Sequence, residues 1–130
     1  MELRGTRGTE SFAEVEVKWR IQSRRSRAGV RTVPNRERFD ADQVGPHILL
    51  RHWRPGDRFQ PNGLPKPVKL QDLFTNAKIP AAARRRLLVA EAAGGRIFWV
   101  EGLRMAEAFK LTGGTRRQLE WRWSRARKLF

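Results

Sequence analysis

Side chains that commonly carry out catalysis are few in this sequence and widely spaced. Cysteine is absent, and the only histidines, His47 and His52, flank a short apolar run without any zinc-ligand spacing. No HExxH, GxSxG or glycine-rich phosphate-binding motif occurs, and the Gly-Gly-Thr at 113–115 predicts a turn. Asp57, in a Pro-Gly-Asp turn, is predicted to stabilise that turn or to form an ion pair. These residues indicate a binding module without a catalytic centre.

Positive charge is the strongest chemical signal. The 130 residues contain 28 Lys and Arg against 13 Asp and Glu, which gives a formal net charge of +15. The excess is spread over segments 1–39, 40–115 and 116–130, so the sequence predicts a folded basic surface with a basic end. Such a field attracts polyanions, and arginine has forked donors suited to phosphate. Arginine-rich genome composition is an alternative source of the excess, but the field would be the same.

The sequence also bears on the cellular compartment. Without cysteine, disulfides and thiolate metal sites are excluded, which fits a reducing compartment. There is no apolar run of about 18 residues and no apolar signal-peptide segment. We therefore expect a soluble, cytoplasmic protein with no membrane partner.

An ordered series of short motifs covers most of residues 39–123. The series consists of LRHWRPGDRFQP at 50–61, Gly63, KLQDLF at 69–74, Lys-Ile-Pro at 78–80, Arg84 and Arg86, and WVEGLRMAEAFKLT at 99–112. In order and spacing it resembles the C-terminal domain of tRNA(Ile)-lysidine synthetases. Two positions depart from the family pattern: Val68 stands where a second lysine is frequent, and Leu88 where a proline is usual.

The resemblance implies a role in tRNA modification. Enzymes of this family use ATP to adenylate C2 of the wobble cytidine of an isoleucine tRNA and then attach lysine there. Their C-terminal domain is expected to grip the acceptor end of the tRNA. The family's Ser-Gly-Gly-x-Asp-Ser loop is absent from this sequence, so no cofactor is expected here, and ATP and magnesium would belong to a separate catalytic domain. A homodimer formed through the parent enzyme is left open.

Cationic side chains in loops around the predicted helices are the candidates for tRNA binding, because duplex RNA is recognised mainly by its shape and backbone. The candidates are Arg51, Arg54, Arg58, Lys69, Lys78, Arg84, Arg85, Arg104 and Lys110. For Arg58 and Arg104, an internal ion pair is the competing assignment. The cations of residues 78–85 flank a predicted helix start, whose N–H groups also attract phosphate.

Aromatic side chains could add stacking on unpaired bases of the acceptor end. Trp53, which lies between His52 and Arg54 beside a turn, is the candidate for this role. The alternating positions of Trp19, Trp99 and Trp121 predict that these rings belong to the core.

The elements that must position these residues are mainly strands. Alternating or continuous apolar residues predict strands at 11–23, 47–53, 96–100 and 119–123. Apolar residues at helical spacing predict one helix from about residue 69, ending before Pro80, and a second over 81–88. Residues 1–10 are predicted to be a polar lead-in with little to bury.

Together these elements predict an α+β fold. Its core is mainly antiparallel and β-sandwich-like, with two short helices inserted in the middle. That expectation agrees with a further resemblance of the family's domain to a β-sandwich-like module of phenylalanyl-tRNA synthetase β chains. We divide the chain into an N-terminal hairpin with a basic loop, residues 1–38, packed on the lysidine-synthetase-like domain, residues 39–130.

Two alternatives to the tRNA-binding function remain open from the residues. One is a stand-alone basic domain that binds other structured RNA, which only binding selectivity would distinguish. The other is a protein-interaction or dimerisation module whose tryptophan-rich strands form the contact.

Overall fold

Three antiparallel sheets and three short helices form the described part of the molecule. The structure, a computed structural model, describes residues 3, 5–23, 35–61, 65–92, 94–103 and 109–126. The strands are β1 (Arg7–Phe12), β2 (Val15–Ser23), β3 (Arg36–Asp40), β4 (Leu49–His52), β5 (Arg58–Phe59), β6 (Val68–Lys69), β7 (Leu88–Glu91), β8 (Ile97–Val100) and β9 (Arg117–Arg125). The helices are α1 (Ala41–Val44), α2 (Leu70–Asn76) and α3 (Ala81–Arg84). None of these helices is long and apolar enough to cross a membrane.

The larger sheet joins the two ends of the sequence. Its strand order is β1-β2-β9-β3, and every neighbouring pair is antiparallel. Alternate β2 residues, from Val15 to Trp19, are buried while the residues between them are exposed, which is the period of two expected for a half-buried strand. Since β2 lies beside β9, residues from the first and last fifths of the chain share one sheet.

The smaller sheet packs against this one through aromatic side chains. Its order is β4-β7-β8, and all four β8 residues are buried. Phe98 on β8 contacts Phe39 and Trp121 of the larger sheet at centroid distances of 5.0 and 5.3 Å. Trp99 contacts Trp121 at 5.6 Å. The predicted α+β architecture and the burial of these tryptophans are confirmed.

The single strand predicted for residues 11–23 is wrong at its start. The chain turns at Ala13, which has φ 53° and is exposed, and Phe12 pairs with Val15 across that turn. The turn residues Ala13 and Glu14 continue the apolar–polar order of β2, so the sequence pattern does not mark the turn. The two-residue turn nevertheless moves the core-facing side chains from even positions in β1 to odd positions in β2. Residues 7–12 are consequently an edge strand and not a polar lead-in. Leu3 is also buried, and its N–H donates to the Pro46 carbonyl at 2.7 Å.

The helix predicted over 81–88 is too long. α3 ends at Arg84, and Leu88 begins β7, which lies between β4 and β8. The apolar run at 87–90 suits a buried strand as well as a buried helix, and periodicity does not separate the two. Burial on both faces of the central strand decides the outcome.

Candidate nucleic-acid interface

The geometry of the motif region depends on one buried arginine, Arg51 of β4. Its Nη1 and Nη2 donate to the two carboxylate oxygens of Asp57 at 2.9 and 3.0 Å. Its Nε donates to the Glu91 carboxylate on β7. Arg51 is only 9% exposed. It therefore fixes the turn before β5 to the smaller sheet.

Asp57 completes this arrangement from inside the turn. Its carboxylate accepts the Arg54 N–H at 2.6 Å, and Gly56 has φ +93°, a conformation that favours glycine. Burial acts to raise the pKa of Asp57, but the hydrogen bonds from Arg51 and the Arg54 N–H outweigh it and lower the pKa. The ion-paired, turn-stabilising role predicted for Asp57 is confirmed.

Arg51, a candidate tRNA contact, is held inside the fold. Its guanidinium is buried and bonded to two carboxylates, and hydrogen bonding to Asp57 is the first cause that raises its pKa. A phosphate could reach it only by displacing those partners. The structure thus gives Arg51 a positioning role.

Arg58 and Lys69 form the exposed part of the motif region. They lie directly opposite each other in the antiparallel pair of β5 and β6, so their side chains project from the same face. Phe59, on the other face of this pair, is buried. Among the described residues neither cation forms an ion pair or a side-chain hydrogen bond. The internal ion pair considered for Arg58 is therefore not observed; Arg104 lies outside the described residues.

The connection between α2 and α3 carries three candidates in different settings. Lys78 and Arg85 are exposed, and Lys78 has φ 57°. Arg84 is partly buried, and its Nε donates to the Ile79 carbonyl at 2.6 Å. Arg84 thus holds the connection together. Because α3 has only four residues, its N-terminus adds little to phosphate attraction.

Trp53, the candidate for base stacking, is used inside the fold. Its indole N–H donates to the Arg84 carbonyl at 2.6 Å. Its ring meets Phe74 of α2 edge-on, at a centroid distance of 5.1 Å. These contacts favour a packing role in which Trp53 joins α2 to α3, and they leave it out of the candidate interface.

A cleft brings together two motifs that lie fifty residues apart. Residues 56–60 of the Pro-Gly-Asp motif line one side, and Arg96 and Phe109 line the other. The Arg96 guanidinium lies over the Phe109 ring, 4.8 Å from its centroid, which is a cation–π contact. Arg96 was missed at the sequence level because it lies outside the motif series. Lys110, the next residue after Phe109, is half-buried.

The exposed cations at the cleft and on the nearby loops define what we call the loop surface: Arg54, Arg58, Lys69, Lys78, Arg85 and Arg96. Backbone carbonyls and buried partners hold the turn beneath it, so these cations extend from a fixed frame. The described residues contain no group of three or more His, Cys, Asp or Glu that could hold a metal ion. The arrangement can bind phosphate by charge and by hydrogen bonding.

Comparison with known sequences identifies relatives. A sequence model of the family described as "TilS substrate C-terminal domain" matches residues 48–121. The tRNA(Ile)-lysidine synthase of Clostridium acetobutylicum is 40% identical over 82 residues, which cover 63% of this chain and 18% of that protein. The tRNA(Ile)-lysidine synthase of Geobacter sulfurreducens is 38% identical over 78 residues, which cover 60% of this chain and 16% of that protein. The chain thus matches less than a fifth of these relatives' length.

Comparison with solved structures supports the fold. A crystal structure of the TILS C-terminal domain has a TM-score of 0.78 at 23% identity, covering 98% of this chain and 97% of that one. An N-terminal fragment of the phenylalanyl-tRNA synthetase β-subunit from Pyrococcus horikoshii has a TM-score of 0.55 at 14% identity. The match covers 68% of this chain and 28% of that fragment. At these identities both likenesses concern the fold alone.

Proposed function

The chain belongs to the family of TilS substrate C-terminal domains, and from this premise we propose that it binds tRNA for a tRNA(Ile)-lysidine synthase. The bound region is the acceptor end of an isoleucine tRNA. Lysidine formation, with its ATP and magnesium, belongs to parts of the parent enzyme outside this sequence. No cofactor is assigned to the chain itself.

The observation that carries the proposal is the side-by-side exposure of Arg58 and Lys69. The family motifs supply both cations, and the buried Arg51–Asp57 pair holds the turn next to them. Two like charges directly opposite on neighbouring strands repel each other. An anionic ligand that binds both would remove this repulsion. Such an arrangement suits the backbone of an RNA duplex, which is recognised by phosphate and 2′-hydroxyl contacts.

The dimerisation alternative is less well supported. It requires the tryptophan-rich strands to form an external contact, yet Trp99 and Trp121 are fully buried within the chain. Leu49, at 51% exposure, is the large exposed apolar residue of the described part. A single such residue does not form an apolar interface.

The test is binding of the chain to isoleucine tRNA, to its acceptor-stem minihelix and to an unrelated hairpin of equal length. If about five phosphates are neutralised, log affinity should fall against log salt concentration with a slope of roughly −4. The minihelix should keep the preference shown by the whole tRNA. Arg58→Gln/Lys69→Gln should weaken binding about tenfold at about 100 mM salt.

The matched control is Arg116→Gln/Arg117→Gln, which removes the same charge from two exposed positions outside the loop surface. It should weaken binding much less than the loop-surface variant. Equal affinity for all three RNAs would replace the proposal by general structured-RNA binding. Absence of binding at about 100 mM salt would overturn the RNA-binding function itself.

A further inference from the structure

A second cationic surface covers the outer face of the larger sheet, away from the loop surface. Because Val17 and Trp19 face the core, their β2 neighbours face outward together with the residues paired to them. One cross-strand row reads Arg7, Arg20, Glu120, Arg38, and the adjacent row reads Thr9, Lys18, Arg122, Arg36. We call the six cations the basic face: Arg7, Lys18, Arg20, Arg36, Arg38 and Arg122. All six lie outside residues 48–121, the segment that the family shares.

Like charges lie directly opposite each other on this face. Arg7 pairs with Arg20, and Arg122 is flanked by Lys18 on one side and Arg36 on the other. Neighbouring strands are roughly 4.8 Å apart, and like charges at such positions destabilise a sheet. Folding alone therefore does not favour this pattern. A bound polyanion would convert the repulsion into attraction.

Glu120 orders the arginines without cancelling their charge. Its carboxylate is 6% exposed and lies 3.0 Å from Arg122 Nε, 3.6 Å from Arg20 Nη2 and 3.7 Å from Arg38 Nε. One negative charge thus faces three guanidiniums. The side chains of Arg20 and Arg122 nevertheless remain 52% and 57% exposed. Because each guanidinium carries five donors, Arg20 and Arg122 keep donors directed to solvent.

The shape and composition of the face favour a phosphate backbone over other polyanionic surfaces. Two shallow depressions lie on it, and both are bordered by Lys18 and Arg122. Its outward positions carry no aromatic or aliphatic side chain. Trp19 and Trp123 also border the depressions, but Trp19 is buried and Trp123 packs against Trp99, so the face favours neither base stacking nor insertion into a bilayer. Forked guanidiniums match phosphate oxygens in two-point contacts.

We propose that the basic face binds the phosphate backbone of double-helical RNA as a second surface, separate from the loop surface. The inference rests on the proposed function, because it takes RNA as the partner. It adds to that function a contact that does not use the family motifs. Since the contact is to the backbone, it strengthens binding to any duplex, and selection of a particular tRNA remains with other contacts.

The experiment uses the variant Arg7→Gln/Lys18→Gln. Both residues lie opposite an arginine on a neighbouring strand. Neither forms an ion pair with Glu120, so Glu120 keeps its three arginine partners in the variant. Binding of an RNA hairpin duplex is measured between about 50 and 200 mM salt. We expect affinity to fall about tenfold at about 100 mM salt, and the salt slope to become shallower by about two. The thermal unfolding midpoint should not decrease, because repulsion is relieved and the exposed Lys18–Glu16 ion pair that is lost, 3.9 Å long, contributes little.

Two variants are measured in parallel: the loop-surface variant Arg58→Gln/Lys69→Gln and the control Arg116→Gln/Arg117→Gln, which lies outside both surfaces. If the basic-face variant matches the control in affinity and slope, the second surface is overturned, and the loop-surface variant still decides the proposed function. If only the basic-face variant weakens binding, the second surface is supported and the loop surface is not. Vesicles of anionic lipid are the remaining probe. If the wild-type chain is retained by these vesicles and the Arg7→Gln/Lys18→Gln variant keeps the wild-type RNA affinity, the proposal is also overturned.

Discussion

At the scale of single residues, Glu37 is the side chain least suited to its surroundings. It lies on β3 opposite Trp121, on the side of the sheet that faces the core. Its Oε2 is buried and finds no hydrogen-bond partner in the described chain. Burial raises its pKa from 4.5 to about 7, because the charged carboxylate is desolvated. The residue is therefore better tolerated as the neutral acid.

Glu37→Gln should remove a pH dependence of stability. Because the folded-state pKa is raised, the stabilising effect of protonation is complete below about pH 4.5 and is lost as pH rises through about 7. In urea unfolding, the variant should match the wild type near pH 4 and exceed it by roughly 1–3 kcal/mol near pH 8. The exposed Glu10→Gln is the control and should show no such divergence. If the free energies of unfolding of Glu37→Gln and the wild type change with pH in parallel, the Glu37 carboxyl is ionised in the folded state.

Residue roles in the candidate interface could be predicted only in part. The Pro-Gly-Asp turn indicated a structural Asp57, and this was correct, because the reason is local. The sequence could not show that Arg51 is its partner, since the second carboxylate, Glu91, follows forty residues later and reaches Arg51 only when β4 pairs with β7. Arg58, which alternates with buried Phe59, faces solvent instead. Strand pairing therefore decides that Arg51 is buried in ion pairs while Arg58 is exposed.

At the scale of elements, the first hairpin depends on a close fit between Gly8 and Trp19. The two residues pair across β1 and β2, and a Cβ at Gly8 would lie 2.6 Å from an indole carbon of Trp19. Gly8→Ala should therefore force the ring or the edge strand to move, at a cost of roughly 1–3 kcal/mol. Chemical denaturation measures the loss.

Gly114→Ala is the matched control, because its new Cβ would make ordinary contact, 3.8 Å from Thr112 Oγ1. It should change the free energy of unfolding little. An equal loss in the two variants would mean that glycine replacement itself, and not contact with Trp19, is responsible.

The elements themselves were predictable where a pattern has one physical meaning. Alternating apolar residues identified the β2 strand, and continuous apolar residues identified the β8 strand. The turn at Ala13 was hidden because Ala13 and Glu14 continue the apolar–polar sequence pattern of β2, although the faces change across the turn. β7 was not predicted, and its first residue, Leu88, was assigned to the preceding helix, because an apolar run has no period that separates the two structures. Its place as the central strand of its sheet depends on contacts far apart in the sequence.

At the scale of the whole molecule, Arg125 connects the two sheets. It lies on β9, and its Nε and Nη2 donate to the two carboxylate oxygens of Glu101, which follows β8, at 2.7 and 2.6 Å. Its Nη2 also donates to the Arg86 carbonyl at 2.8 Å. The hydrogen bonds to Glu101 are the first cause of its raised pKa. This ion pair therefore helps to fix the larger sheet, which carries the basic face, against the smaller sheet.

Arg125→Met should destabilise the fold by about 3–5 kcal/mol, because it leaves Glu101, 7% exposed, without its guanidinium partner. Arg117→Met breaks an ion pair with Asp42 whose side chains are 55% and 50% exposed, and should cost less than about 1 kcal/mol. Arg125→Met/Glu101→Gln should recover much of the loss, since no buried charge then remains unpaired and the amide oxygen can still accept the Leu88 N–H. If the double variant is as unstable as the single one, Arg125 acts through packing and its carbonyl contact, and the ion pair is not what joins the two sheets.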